Sequence, residues 1–139
     1  MKSVNLRFWG LPAIAVWVAL ASGCTNFGKK QELPPEEAVQ LRAQSWADAL
    51  LAGDLEGAYA LTSPNYRQFA SMQRYGRRVA GSSRWTSAVV ESVQCDEDVC
   101  DTRIRIDYSI KRMKISNSRL VDYKWVKAED DWWLYVPSN

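Results

Sequence analysis

Apolar residues recur at helical spacing through the first half of this chain and at every second position through much of the second half. Val39, Ala43, Trp46 and Leu50 fall on one helical stripe, with Gln40, Gln44 and Asp48 directed elsewhere. Pro34-Pro35-Glu36-Glu37 suits the start of that helix, where prolines stop earlier structure and acids face its positive end. Gly53 ends it. Asp54 then caps a short second helix carrying Leu55, Ala58, Tyr59 and Leu61. Ser63-Pro64 opens a third, with Tyr66, Phe69 and Ala70 inward and an end near Gly76 or Gly81.

After Gly81 the period changes to two. Ile104, Ile106, Tyr108 and Ile110 share a face with Cys100, while Arg103, Arg105, Asp107 and Lys111 take the other. Cys95 and Cys100 flank the polar turn Asp96-Glu97-Asp98-Val99, so a hairpin brings their sulfurs opposite each other as a structural disulfide. That register pairs Val93 with Thr102, Val89 with Ile106 and Trp85 with Ile110. It sets Glu91 against Ile104, a misfit that calls for a bulge or a pocket. A turn at Ser116-Asn117-Ser118 leads to a strand with Val121, Tyr123 and Trp125. Glu129-Asp130-Asp131 turns into a last strand, Trp132 to Val136. The expected fold is α+β: three N-terminal helices packed on a curved four-stranded antiparallel sheet.

Upstream, Lys2 and Arg7 precede an apolar run from about Phe8 to Ala21, too short to span a bilayer and closed by Leu20-Ala21-Ser22-Gly23-Cys24. This stretch resembles the lipobox of bacterial lipoproteins. The resemblance implies a signal peptide over 1–23, removed by cleavage, with Cys24 carrying diacylglyceryl and a further acyl chain such as palmitate. Several chains hold a protein on a membrane, because each buried methylene contributes about 0.8 kcal/mol. Thr25, where an Asp would favour retention in the inner membrane, points to the periplasmic face of the outer membrane. An uncleaved anchor and an ordinary secreted protein are the alternatives. Residues 24–35, polar and proline-ended, read as the lipidated cysteine and its tether, and 36–139 as one domain.

Composition narrows the function. The full chain has 18 basic and 16 acidic residues, net +2, and the signal holds two of the basic ones and no acid. The rest of the chain is therefore neutral overall, and no nucleic-acid partner is expected. The chain has no histidine, and Cys24 is assigned to lipid. A Ser-His pair, a free cysteine nucleophile and a Cys/His metal site are all lacking, and no metal or cofactor is expected. The spacing of Cys95 and Cys100 also departs from the CxxC redox pattern.

Residues 36 to 137 resemble the nuclear transport factor 2-like superfamily. The resemblance is carried by Trp46, Gly53-Asp54, Ala58-Tyr59, Leu61, Ser63-Pro64, Tyr66 and the closing Trp125…Asp131-Trp132-Trp133. It implies helices wrapped against a curved sheet as a cone, although here the strands follow all the helices instead of bracketing the third. A different α+β roll is the alternative. Such folds host enzymes, pockets and assembly domains alike. Asp107, Tyr108, Glu91 and Tyr66 are the raw material for an acid/base isomerase of the ketosteroid type, with no ordered motif to match.

Charge is segregated. Gly57 to Val90 holds five arginines, Arg67, Arg74, Arg77, Arg78 and Arg84, and no acid, whereas Glu91 to Asp101 holds five acids and no base. The arginines are candidates for an anion or a partner. The bland alternative is a solvated loop paired with the Asp96–Asp98 turn. Lys111, Arg112, Lys114 and Arg119 form a second basic stretch. Tyr66, Trp85, Tyr108, Trp125, Trp132 and Trp133 are candidates for a pocket or an interface. Trp132 and Trp133 must point to opposite faces, which leaves one for a partner or a homodimer. The expectation is a lipid-anchored, non-catalytic binding or assembly module, with an envelope protein or an anionic envelope component as partner. The alternative is a small-molecule carrier or an acid/base enzyme using the cone interior.

Overall fold

A computed structural model describes residues 32–137. The lipobox-like stretch, Cys24 and nearly all of the expected tether lie outside the described residues. Four α-helices precede the sheet among the described residues: α1 (Pro35–Ala52), α2 (Leu55–Ala60), α3 (Pro64–Phe69) and α4 (Met72–Arg78). A 3-10 turn (Ala80–Arg84) leads into β1 (Trp85–Asp96), β2 (Val99–Ile110), β3 (Ile115–Ala128) and β4 (Asp131–Leu134), one antiparallel sheet in the order β1-β2-β3-β4.

The helix boundaries follow from local chemistry. Gly53 takes a left-handed conformation at φ 74°, and the Asp54 N–H behind it donates to the Ala49 carbonyl, closing α1. The Asp54 carboxylate accepts from the Gly57 N–H and the Ser63 hydroxyl from the Tyr66 N–H, so both expected caps form. The expected third helix is two helices. Ala70 is extended and the Ser71 hydroxyl accepts from the Arg74 N–H, so the chain stops and restarts with a new cap. Phe69 consequently ends α3 pointing outward, 74% exposed, whereas Tyr66 and Ala70 are buried as expected.

The stripe of α1 is buried along its length, against the sheet face formed by Ala88, Val90, Cys100, Thr102, Ile104, Ile106, Trp125, Trp132 and Leu134. β1 reaches that face through a bulge at Glu91. Val93 pairs with Thr102 and Cys95 with Cys100 as expected. Past the extra residue, however, Val90 pairs with Ile104 and Ala88 with Ile106, and a second shift at Thr86 pairs Trp85 with Tyr108, which corrects the Val89 and Trp85 pairings. The bulge turns Val90 and Ala88 inward and Val89 outward, and frees Glu91 to pair with Arg105 at 3.2 Å. The side-chain amide of Gln44 lies along the β1 edge. It donates to the Ala88 carbonyl at 3.0 Å and accepts from the Val90 N–H at 3.1 Å, as a neighbouring strand would.

Two further corrections concern the end of the sheet. The β2–β3 turn lies at Lys111–Lys114, where Lys114 is left-handed at φ 50°, and Ser116–Ser118 are already in β3. β4 ends at Leu134 instead of Val136. The β3–β4 turn is at Glu129-Asp130, both at positive φ, the pattern of a two-residue hairpin loop. Thr62, between α2 and α3, makes a single parallel bridge with Leu134.

The Cys95 and Cys100 sulfurs sit at disulfide distance across the first hairpin. Replacing both with serine is expected to cost about 2 kcal/mol, the chain-entropy value for a small loop. Urea unfolding under non-oxidising and oxidising conditions measures it; identical midpoints for parent and double variant in the oxidised state would contradict the clip.

Candidate functional site

The helix-covered side of the sheet is largely filled. Trp46 on α1 is 2% exposed and its indole N–H donates to the Tyr75 hydroxyl of α4 at 2.7 Å. Its ring meets Tyr123 edge-on at 4.7 Å between centroids and Trp85 at 6.2 Å. Tyr59 and Tyr66 pack around Tyr75 from the other side. Burial pushes the Tyr75 hydroxyl up to about 12, and raises that of Tyr123 as well. Both phenols are therefore neutral hydrogen-bonding groups across the ordinary pH range.

Beside this aromatic cluster opens a cleft of about 270 Å³. Trp46, Tyr75, Trp85 and Tyr123 form its aromatic wall, Arg78 and Arg119 its charged rim, and Val136-Pro137 its far side. A shallower recess of about 180 Å³ adjoins it, between Arg84, Trp85, Tyr108 and Arg119. The Arg119 guanidinium sits 6.0 Å from the Tyr108 ring centroid there. On the other side of Tyr135-Val136-Pro137 lies a broad groove of about 710 Å³, which Tyr66, Phe69, Arg74 and Arg78 help to line. Arg78 faces both openings. No aspartate or glutamate lines the cleft or the recess among the described residues.

The five sequence-selected arginines separate in space. Arg67 is structural: its guanidinium donates to the Ala60 and Thr62 carbonyls and lies 5.0 Å from the Trp133 ring centroid. Arg74, Arg77, Arg78 and Arg84 are exposed and, with Arg119, make no ion pair among the described residues. They do not pair with the Asp96–Asp98 turn, which lies at the opposite end of the sheet. The ion pairs run across the outer sheet face instead: Arg103 with Asp122 at 2.8 Å, Lys124 with Asp101 at 2.7 Å, and Arg105 with Glu91. The Arg103 hydrogen bond holds the exposed Asp122 carboxyl below the usual range.

Of the aromatic candidates, Tyr66, Trp85 and Tyr108 border openings, whereas Trp125 and Trp132 are core side chains and line none of these openings. Trp133 is the tryptophan on the other face, and it is not free. Arg42 and Arg67 both lie about 5 Å from its ring, at 4.8 and 5.0 Å, and its N–H donates to the Ala128 carbonyl at 2.9 Å. The two carboxylates proposed for acid/base chemistry do not reach the cleft: Asp107 alternates onto the outer face with Arg103 and Arg105, and Glu91 pairs there. Trp46, Tyr75 and Tyr123 are not among the sequence's candidates for a site, and Arg119 is there only as a member of the second basic stretch. Tyr123 was already on the inward side of its strand by alternation. Tyr75 carries no such signal, because its helix restarts at Ser71.

No family model and no curated protein matches this chain. Similar folds occur among solved structures. A SEC-C motif containing protein from Psychrobacter arcticus superposes with TM-score 0.59 at 8% identity, over 78% of this chain and 64% of that one. The chain thus spans less than two thirds of that protein's length. An NTF-2 like protein of unknown function from Shewanella oneidensis MR-1 gives 0.52 at 11% identity, over 70% and 92%. An NTF2-like protein from Campylobacter jejuni gives 0.50 at 13%, over 68% and 94%. At these identities the likeness shows the fold alone: an α+β fold with an open four-stranded antiparallel sheet, similar to that of the NTF2-like proteins.

Proposed function

We propose that this chain is a lipid-anchored, non-catalytic binding or assembly module of the cell envelope, held by Cys24 on the periplasmic face of the outer membrane. Its binding face is the mouth of the cone, and its ligand or partner carries negative charge. One observation carries the reading: Arg78 and Arg119, without ion-pair partners among the described residues, rim an aromatic cleft that no acid lines. A guanidinium fork beside an apolar wall suits a carboxylate or phosphate attached to an apolar body.

The carrier reading keeps one support, the cleft itself, whose 270 Å³ is close to the lower end of small-molecule sites. An isomerase reading needs a carboxylate inside the cone, and Asp107 and Glu91 lie outside it.

Two measurements test the proposal. Fractionation of cells expressing the full chain should place the parent with outer membranes, and Cys24→Ser should move it to the soluble fraction; a parent protein found in the cytoplasm refutes the anchor. Tryptophan fluorescence of the full chain should change saturably with dodecyl phosphate, since Trp46 and Trp85 line the cleft. Arg78→Ala and Arg119→Ala should each weaken that binding about tenfold, equivalent to one charged hydrogen bond. An unchanged affinity in both variants refutes the site.

A further inference from the structure

The cone is open because one strand is short. β3 runs for 14 residues, roughly 45 Å, but β4 pairs only with Trp125–Ala128. One more bond, from the Tyr135 N–H to the Lys124 carbonyl at 2.8 Å, ends the pairing, and Pro137 follows with no N–H to extend it. From Ile115 to Tyr123, β3 has β2 on one side and no strand on the other among the described residues.

That edge is a usable template. Lys124 turns its carbonyl toward the open side, so alternation turns the main-chain groups of Asp122, Leu120, Ser118 and Ser116 the same way. Only the Ser118 N–H among these is occupied by a side chain, the Asn117 carboxamide oxygen. Ile115 through Leu120 are all exposed. The sheet's other edges each carry covering groups. Gln44 covers β1 at Ala88 and Val90, and Leu61 and Ser63 bond both main-chain groups of Leu134 on β4.

The open edge and the candidate cleft are one place. Arg119 and Tyr123, alternating inward from β3, are walls of the cleft. A strand laid beside them sends every second side chain into the cone mouth, next to Arg119, Val121 and Tyr123. The surrounding charge is positive: Arg78, Arg84 and Arg119 line the openings, and Lys111, Arg112 and Lys114 form the adjacent turn. Asp122 is turned to the outer face and held by Arg103. A second copy of this chain would set those cations against themselves. The chain's own tether brings Lys29 and Lys30, and its one acid, Glu32, is paired with Lys127. Charge complementarity therefore selects an acidic segment from another protein.

We propose that the edge of β3 from Ile115 to Tyr123 docks an extended acidic segment of a partner protein, which adds to the sheet as a further strand. Its main chain pairs with Ser116, Leu120 and Asp122. Its inward side chains place a carboxylate beside Arg119 and Arg78 and an apolar group beside Val121 and Tyr123. This rests on the binding-module reading above and specifies its partner.

The test is hydrogen-exchange mass spectrometry on the full chain with the blocked peptide acetyl-Val-Thr-Glu-Thr-Val-Thr-Glu-Thr-amide. The expected result is saturable protection, at least tenfold slower exchange, confined to 115–123. The same peptide N-methylated at alternate residues should give none, since it lacks the donors. A version with Lys for Glu should bind at least tenfold more weakly, and Arg119→Ala should weaken the Glu peptide by a similar factor.

Protection that survives N-methylation overturns strand addition. So does protection of the edge-facing Ser116, Leu120 and Asp122 N–H groups already present in the free protein, whether independent of concentration (the tether on the edge) or dependent on it (a second copy). If dodecyl phosphate binds and the peptide does not, the docked strand is refuted and the anion-binding module stands. If neither binds, both fall.

Discussion

Trp46→Ala is expected to destabilise the domain by about 3 to 5 kcal/mol, the usual cost of removing a large aromatic from a core. Trp46 is 2% exposed, meets Tyr123 and Trp85 edge-on, and hydrogen-bonds Tyr75, so one substitution empties the centre of the aromatic cluster. It also removes the donor that fixes the Tyr75 hydroxyl. Against a typical domain stability of about 5 to 15 kcal/mol, this is a large fraction of the whole. Urea unfolding of the full chain, followed by far-UV circular dichroism, measures it. Trp46→Phe keeps most of the apolar area and should lose less than half as much. A loss under about 1 kcal/mol for Trp46→Ala would mean that the core is not built around this residue.

Alkali should unfold this protein through the same cluster. Tyr75 titrates near 10 when unfolded and is pushed up to about 12 by burial in the fold. Between those values the folded state holds a proton that the unfolded state has released, so stability falls as pH rises. The contribution is complete below pH 10 and lost by about pH 12. A shift of this size corresponds to roughly 2 to 3 kcal/mol, and Tyr123, raised in the same direction, adds to it.

Other phenols and lysines titrate in this range, so the decisive quantity is the difference between parent and Tyr75→Phe. The variant leaves the Trp46 N–H unpaired and should be about 1 to 3 kcal/mol less stable at neutral pH. Its stability should also fall less steeply above pH 10. Parallel profiles for the two proteins would show that the Tyr75 phenol is not the group responsible.

The cluster also explains how function and stability are divided here. Trp46 and Tyr75 are both core and cleft wall, and Tyr123 is a half-buried wall packed against them, whereas Arg78 and Arg119 only rim the opening. Arginine variants should therefore alter binding with little effect on stability, and aromatic variants should alter both. The structural arginines are a different set: Arg67 and Arg42 bond carbonyls or Asp131 and flank Trp133, so they hold the β4 end of the sheet together.

Local signals carried much of the fold. The α1 stripe from Val39 to Leu50, the Gly53 stop, the Asp54 and Ser63 caps, and the alternation of Cys100, Ile104 and Ile106 each depend on residues a few positions apart. Backbone preference and burial period act at that range, so sequence alone determined these elements and the first-hairpin pairing of Cys95 with Cys100. Even the misfit at Glu91 was legible, because a charge opposite Ile104 breaks the alternation. Whether a bulge or a pocket resolved it depended on α1 packing against β1, where Gln44 seats the shifted Ala88 and Val90.

The site was legible only as ingredients. Five arginines stood out by charge, yet nothing local distinguishes Arg67, which bonds carbonyls, from Arg78, which faces the openings. Arg119 and Tyr75 lie far apart in sequence and meet only because α4 and β3 border the same mouth. The sequence by itself determined the helical stripe, the caps, the strand alternation and the segregation of charge, all of which are set within a turn or a hairpin. The tertiary structure decided which arginines are free, which tryptophans are core, and where the sheet stays open, because those properties depend on how distant elements pack and on where β4 stops beside β3.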